Sequence, residues 1–243
     1  MPHMRLDKFL GMMGCCSRTE AKKLIRSGAV TVNGRTAPSA DEKIDTERDT
    51  VIFCGSPVVY RPYTYIILNK PEGVVSATED GRDRTVLDLV PEHMRRAGLF
   101  PCGRLDKNTV GLVLLTDNGV LAHRLLAPKS HVTKEYYFRS KFPLTPADVS
   151  LFEQGVLLED GYETKPAKLF LEPSGDAGRI ILIEGKYHQI KRMLEALHNK
   201  IIFLERIRFG PLTLEGIPNR GDIRYLTDEE IAALESHGTN ETE

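Results

Sequence analysis

Six short runs of β-branched, aromatic and aliphatic residues dominate the chain after its first quarter: YTYIILNK from Tyr63, GLVLLT from Gly111, KEYYFRSKF from Lys134, AKLFLE from Ala167, RIILIE from Arg179 and IIFLERIRF from Ile201. Each has the length and composition of a strand. Only two helical patterns fall between them, GVLAHRLL and KYHQIKRMLEALHN, the second with Ile190, Met193, Leu194 and Leu197 at helical spacing. Strands and helices that do not alternate regularly exclude a doubly wound parallel sheet. The expected fold is α+β, a mostly antiparallel mixed sheet with flanking helices.

The bulk numbers narrow the function classes. At 243 residues, 41% hydrophobic and 28% charged, the chain has enough apolar side chain for one large or two modest domains, which excludes a disordered polymer. No run approaches the roughly 18 apolar residues of a membrane helix, and the N-terminus lacks a signal-peptide core, so a cytoplasmic protein with no membrane partner is expected. Cys15, Cys16, Cys54 and Cys102 form no C-x-x-C pair and read as reduced thiols. No phosphate-cradling loop, dinucleotide fingerprint or ligand cluster is present, so neither cofactor nor metal is expected. Charge is unevenly spread: Met1 to Arg35 carries seven basic residues against two acids, whereas Asp222 to Glu243 carries seven acids against Arg224 alone. One end suits a polyanion and the other repels it.

The first 60 residues read as a helix, a turn, a second helix and a small hairpin. Ser17 and Glu20 stand three apart in SRTEAKKLIRSG, a capping-box spacing, and Ala21, Leu24 and Ile25 share one face before Gly28 stops the helix. Arg18, Lys22 and Arg26 recur every four residues on another face. Val30 and Val32 point inward in a strand that ends at the turn-forming pair Asn33-Gly34. The segment MRLDKFLGMMGCCSRTEAKKLIRSGAVTVNG resembles the RNA-binding module first seen in ribosomal protein four of the small subunit. The resemblance implies a helical pair presenting Arg5, Lys8, Arg18, Lys22, Lys23 and Arg26 to folded RNA, with affinity from phosphates and selectivity from shape. Pro57 and Pro62 mark residues 56–63 as an extended linker, dividing a module at 1–60 from a larger domain at 61–243. A last amphipathic helix is expected to use Leu226, Ile231 and Leu234, followed by an acidic tail from about 236.

One residue in the larger domain is out of place. Asp106 lies in GRLDKNTVGLVLLTDNG, just before an apolar run. It fits a turn aspartate, since Asp and Asn tighten loops through their own backbone. A calcium loop through Asp106, Asn108, Gly111 and Asp117 fails, because Val110 occupies a ligand position and strand-like sequence follows. A third reading is a reactive carboxylate, held ionised by a nearby cation; Arg104, two residues away, projects to the same side if the segment is extended.

The stretch is similar to the G-R-L-D signature of pseudouridine synthases, in the branch that carries the RNA-binding module above, and LNKPEGVVS, KEYYF and EGKYHQIKRML follow the family order across nearly the whole chain. Asn118 stands where many members have a second acid. The resemblance implies isomerisation of uridine to pseudouridine without cofactor, with Asp106 as the catalytic carboxylate, Tyr136 packing on the uracil, and Lys191 as the basic group paired with the carboxylate. Arg192 competes with Lys191 for that role or meets RNA, and Arg104 contacts the RNA backbone or fills the gap left by the extruded uridine. His188 and Gln189 are expected to organise the entry to their helix. The expected partner is ribosomal RNA of the small subunit, bound by a monomer, with 23S ribosomal RNA or transfer RNA as alternative substrates. A non-catalytic RNA-binding protein of ribosome assembly is the rival of another class.

Overall fold

The computed structural model describes residues 3–237. The part of the expected acidic tail beyond His237 lies outside the described residues. The chain forms two compact units, one of residues 1–64 with 91–97 and the other of residues 65–90 with 98–243.

The first unit opens with β1 (His3–Arg5), α1 (Leu6–Met12) and α2 (Arg18–Arg26). At the start of α2 the Ser17 hydroxyl accepts the Glu20 N–H at 3.2 Å while the Glu20 carboxylate accepts the Ser17 N–H at 2.9 Å, the reciprocal cap that the spacing predicts. Next come β2 (Val30–Val32), β3 (Arg35–Thr36), β4 (Lys43–Asp45), β5 (Val51–Phe53) and β6 (Ser56–Val58). Val30, Val32, Ile44 and Val51 pack with Leu6, Phe9, Leu10, Ala21 and Ile25 into one core, each of these side chains other than that of Ala21 contributing about 1.5–3 kcal/mol. Asn33 and Gly34 both take positive φ, 50° and 76°, as the β2–β3 turn requires.

The expected linker is corrected here. Ser56–Val58 is not loose chain but β6, paired antiparallel with β5. It is the edge of a sheet ordered β3-β2-β5-β6, where the missing N–H of Pro57 costs no ladder bond. Residues 91–97 also join this unit: the Arg96 guanidinium donates to the Arg61 carbonyl and the Thr64 hydroxyl.

The second unit contains β7 (Tyr65–Lys70), β8 (Phe100–Cys102), β9 (Val110–Thr116), α3 (Gly119–Leu126) and β10 (Lys134–Ser140). It continues with α4 (Pro146–Gln154), β11 (Lys168–Leu171), β12 (Ala177–Leu182), α5 (Gln189–Ala196) and β13 (Ile201–Phe209), and ends with β14 (Leu212–Thr213), β15 (Ile223–Tyr225) and α6 (Asp228–Ser236). Its nine-stranded sheet runs β11-β12-β10-β13-β9-β7-β15, with β8 on β9 and β14 on β13. Among the described residues every pairing in it is antiparallel except β9 with β13, so the mostly antiparallel mixed sheet follows as expected.

That one parallel seam needs Gly111. Its φ is 103°, and a Cβ there would lie 2.3 Å from the Arg206 carbonyl oxygen. Helix α4 was not expected from the sequence, because its apolar residues make only a weak stripe: Phe152 is buried while Leu151 is exposed. Its start is nevertheless ordered by local chemistry, the Asp148 carboxylate accepting from both the backbone N–H and the hydroxyl of Thr145. Asn118, the departure from the usual acid, caps α3 by accepting the Leu121 N–H at 3.0 Å and donates to the Tyr65 hydroxyl at 2.9 Å. No described helix is long and apolar enough to cross a membrane.

Candidate active site

Asp106 sits in the connection between β8 and β9, and that connection is clamped on both sides. Upstream, the Ser76 hydroxyl accepts the Leu105 N–H and donates to the Leu105 carbonyl, each at 3.0 Å, while the Leu105 side chain is buried. Downstream, the Thr109 N–H closes a turn on the Asp106 carbonyl at 3.0 Å. Lys70, at the end of β7 and fully buried, donates to the carbonyls of Thr109 at 2.7 Å, Lys107 at 3.3 Å and Pro71 at 3.1 Å. Two segments 30 residues apart in the sequence, LNKPEGVVS and GRLDKNT, are thus tied together through backbone groups. The carboxylate between the ties has little freedom of position.

Burial pulls the Lys70 ammonium down to about 8, against the charges of Asp106 and Glu72, which favour its protonated form. Nothing in the residue pattern announced this lysine except its place at the end of an apolar run, where an unpaired cation is costly.

The cation that meets Asp106 comes from α5. Lys191 Nζ lies 2.5 Å from Asp106 Oδ2 and 2.7 Å from Asn108 Oδ1. The pair is neither sealed nor fully in water: 29% of the Asp106 side chain and 18% of the Lys191 side chain remain accessible. Buried Ile190, Met193 and Leu194 fix α5, which leaves Lys191 at the edge of the stripe facing the carboxylate. Arg192, one residue on, turns away and pairs with Asp160 at 2.6 Å. The choice between the two cations, open in the sequence, is made by this geometry.

Arg104 requires a correction. It is exposed and makes no ion pair among the described residues, so the guanidinium two positions from Asp106 is not what charges its surroundings. The segment between β8 and β9 is irregular, and the i, i+2 rule for extended chain does not apply to it. His188, expected only to order the helix entry, approaches Asp106 Oδ1 at 3.4 Å through Nε2. Its backbone is left-handed, with φ 50°, and its ring stacks on Tyr187 at 3.8 Å between centroids. Gln189 does order the entry: it accepts the Lys186 N–H at 2.9 Å and donates to Glu184 at 2.7 Å.

Tyr136 lies on β10 opposite Arg206 and Ile180, its side chain 9% exposed, and its hydroxyl makes no hydrogen bond among the described residues. The ring is packed in the sheet while the hydroxyl stays open to solvent, where a ligand can reach it. Lys134, two residues earlier on the same strand face, is also buried and pulled down to about 8 by desolvation. Among the described residues no group of three or more His, Cys, Asp or Glu is arranged to hold a metal ion.

In the first unit all six cations expected to meet RNA, Arg5, Lys8, Arg18, Lys22, Lys23 and Arg26, are exposed. Two of them also serve the fold. Asp7, almost fully buried, accepts from Arg5 at 3.1 and 3.0 Å and from Arg18 at 3.4 Å. Burial would raise the Asp7 carboxyl, but these two guanidinium groups outweigh it and hold the group below the usual carboxylate range.

The chain thus joins a small module with six exposed cations to a sheet domain that holds a clamped carboxylate–ammonium pair. A family model described as RNA pseudouridylate synthase matches residues 64–196, and one described as the S4 domain matches residues 4–51. An RNA pseudouridine synthase of Bacillus subtilis, YtzG, is 44% identical over 95% of this chain and 98% of its own. The ribosomal small subunit pseudouridine synthases A of Yersinia pestis and Escherichia coli K12 are 40% and 38% identical, over 95% of this chain and 98% and 100% of theirs. A crystal structure of a pseudouridylate synthase aligns with a TM-score of 0.65 at 34% identity, covering 95% of this chain and 99% of that one. The chain belongs to the RNA pseudouridine synthase family and carries an S4 RNA-binding domain.

Proposed function

We propose that this enzyme isomerises a uridine of small-subunit ribosomal RNA, with Asp106 as the catalytic carboxylate. The reaction breaks the bond between uracil and ribose, turns the base, and rejoins it through carbon five; the proton on that carbon is lost and the freed ring nitrogen gains one. The observation that carries the reading is the Lys191–Asp106 pair, partly open and fixed by the Ser76 and Lys70 ties. Lys191 Nζ at 2.5 Å holds one carboxylate oxygen in place while 29% of the Asp106 side chain stays open to a substrate.

Tyr136 packs its ring against the uracil, and its unpartnered hydroxyl is the group that assists proton movement at carbon five. Arg104, exposed and unpaired, fills the space of the extruded nucleotide or meets the RNA backbone. The exposed cations of α1 and α2 contribute phosphate contacts that offset the few kcal/mol of unstacking. The small-subunit assignment draws on the relatives so named, which match over 95% of this chain and 98% and 100% of theirs.

Mapping pseudouridine in total RNA from cells with and without the gene tests the proposal. One small-subunit position should revert to uridine in the deletion and return when the gene is restored. A lost position in large-subunit or transfer RNA would move the substrate, and an unchanged map would remove the activity.

A further inference from the structure

The sheet face opposite Tyr136 remains unassigned. Side chains alternate along β10, so Glu135, Tyr137 and Arg139 project away from Tyr136. The cross-strand register continues that face through Lys168 and Phe170 of β11, Arg179 and Ile181 of β12, and Phe203, Glu205 and Arg208 of β13. Contacts between the side chains bear this out. Arg179 lies over the Phe170 ring at 5.5 Å and pairs with Glu135 at 2.9 Å; Arg208 reaches the same carboxylate at 3.6 Å; the Tyr137 and Phe203 rings meet edge to face at 6.2 Å.

A sheet face turned to water ordinarily carries small polar and charged residues. This one exposes 46% of Phe170 and leaves Tyr137 and Phe203 partly accessible, interleaved with Arg139, Lys168, Arg179 and Arg208. Arg139 and Lys168 have no ion pair among the described residues. Beside the platform opens a cavity of about 650 Å³, lined by apolar Pro166, Ile181 and Ile183 and by Lys168, Arg208, Glu135 and Glu153. That volume is within the roughly 300–1,000 Å³ of small-ligand sites.

Partly accessible rings set among cations are the chemistry that holds single-stranded nucleic acid, in which bases stack on the aromatics and phosphates meet the cations. We propose that this face is a second RNA-contact surface, separate from the catalytic carboxylate, which holds an unpaired RNA segment on Phe170, Tyr137 and Phe203 and takes one splayed base into the adjoining cavity. The inference rests on the reading of the chain as an RNA enzyme, since that reading makes RNA the partner. Within it, the face adds affinity and choice of RNA context, not chemistry.

The experiment uses the full chain and an unstructured 20-nucleotide RNA carrying 4-thiouridine and a fluorophore. Irradiation of the wild-type protein should place crosslinks on peptides containing Tyr137, Phe170 or Phe203. The double variant Arg139→Glu/Lys168→Glu, which breaks no ion pair, should bind that RNA about tenfold more weakly, and the slope of log affinity against log salt should fall by about 1.4, at roughly 0.7 per lost phosphate contact. Its pseudouridine rate on saturating RNA should stay within about twofold, which also shows that the fold survives. Crosslinks confined to other strands, or unchanged affinity and slope in the double variant, would overturn the inference. If instead no RNA is ever modified but the crosslinks and slope change appear, the catalytic reading falls and this surface stands.

Discussion

The chain contains the tetrapeptide Arg-Leu-Asp-Lys twice, at Arg5–Lys8 and at Arg104–Lys107, and the two copies do opposite things. The leucine is a buried anchor in both, Leu6 in one core and Leu105 in the other. After Leu6 the chain enters α1, so Asp7 lies in a first helical turn, where backbone N–H groups favour its charge. Arg5 folds back on it, Arg18 joins from α2, and the carboxylate is saturated. After Leu105 the chain makes a turn and becomes β9. Arg104 stays in solvent, and the one lysine on Asp106 comes from 85 residues away. A carboxylate satisfied by its own neighbours holds a fold together. One met from a distance, by Lys191 on one oxygen and His188 on the other, with 29% of its side chain accessible, keeps surface for a substrate.

Removing each charge tests that distinction most severely. Asp106→Asn should lower pseudouridine formation by about 10³-fold or more while RNA affinity, measured by anisotropy, stays within a few-fold. Asp7→Asn should do the converse. It takes the charge from the group that Arg5 and Arg18 share, and because those guanidinium groups keep 47% and 60% of their side chains in solvent the loss should be about 1 kcal/mol. The loss should appear as a lower thermal midpoint of the first unit, and the single-turnover rate at saturating RNA should hold. A catalytic loss in Asp7→Asn as large as that in Asp106→Asn would erase the contrast.

The remote cation comes next. Lys191→Met should cost about 10²-fold in the single-turnover rate at saturating RNA, because it removes the cation that holds Asp106 in position. Lys191→Arg should recover part of the loss. Arg192→Met, which breaks only the exposed pair with Asp160, should stay within about threefold. Equal effects from the two substitutions would mean that the charge of α5 matters and the contact does not.

Lys70 sharpens the comparison, because the first tetrapeptide has no counterpart to it. Lys70→Met leaves the carbonyls of Lys107 and Thr109 without their donor, and the loosened loop should cost about tenfold in rate. Its pH signature has a definite sign. In the folded protein the ammonium releases its proton near 8, whereas in the unfolded chain it does so near 10.4. Between those values the unfolded state binds more protons, so stability rises with pH; below about 8 both states are protonated and the cost of burial is full. Denaturant unfolding from pH 7 to 9.5 should show this rise in the wild type. Because Lys134 is pulled down to about 8 as well, Lys70→Met should reduce the rise by roughly half rather than abolish it.

What the sequence revealed follows the range of the interactions involved. The Ser17–Glu20 cap and the Asn33-Gly34 turn join residues within three positions, and spacing alone specifies them. The mostly antiparallel sheet was legible because it depends on the order of apolar runs. Candidate residues for the site could be named from motifs, but their pairing could not. Lys191 and Arg192 differ by 100° around a helix whose docking depends on Ile190, Met193 and Leu194 meeting a distant sheet. Lys70 and Ser76 escaped for the same reason, since their partners are backbone groups some 30 to 40 residues away. Pro57 misled because a proline reads as a strand breaker unless the strand is known to be an edge.

Arg104 carries the smallest expected effect and the most discriminating one. If local pairing governed both tetrapeptides, Arg104→Ala would uncover Asp106 and lower the single-turnover rate at saturating RNA, as Lys191→Met does. The exposed, unpaired guanidinium instead requires that this rate stay near that of the wild type. The change should weaken substrate capture by a few-fold through lost contact with RNA, and it should also lower the salt slope by less than one phosphate contact removes from duplex RNA, since a gap-filling side chain touches a base stack as well as the backbone. Measuring affinity and saturated rate at several salt concentrations separates the two roles. A salt-dependent loss of affinity at constant saturated rate assigns Arg104 to the RNA, and a loss of saturated rate at constant salt dependence would return it to the carboxylate and make the two copies alike after all.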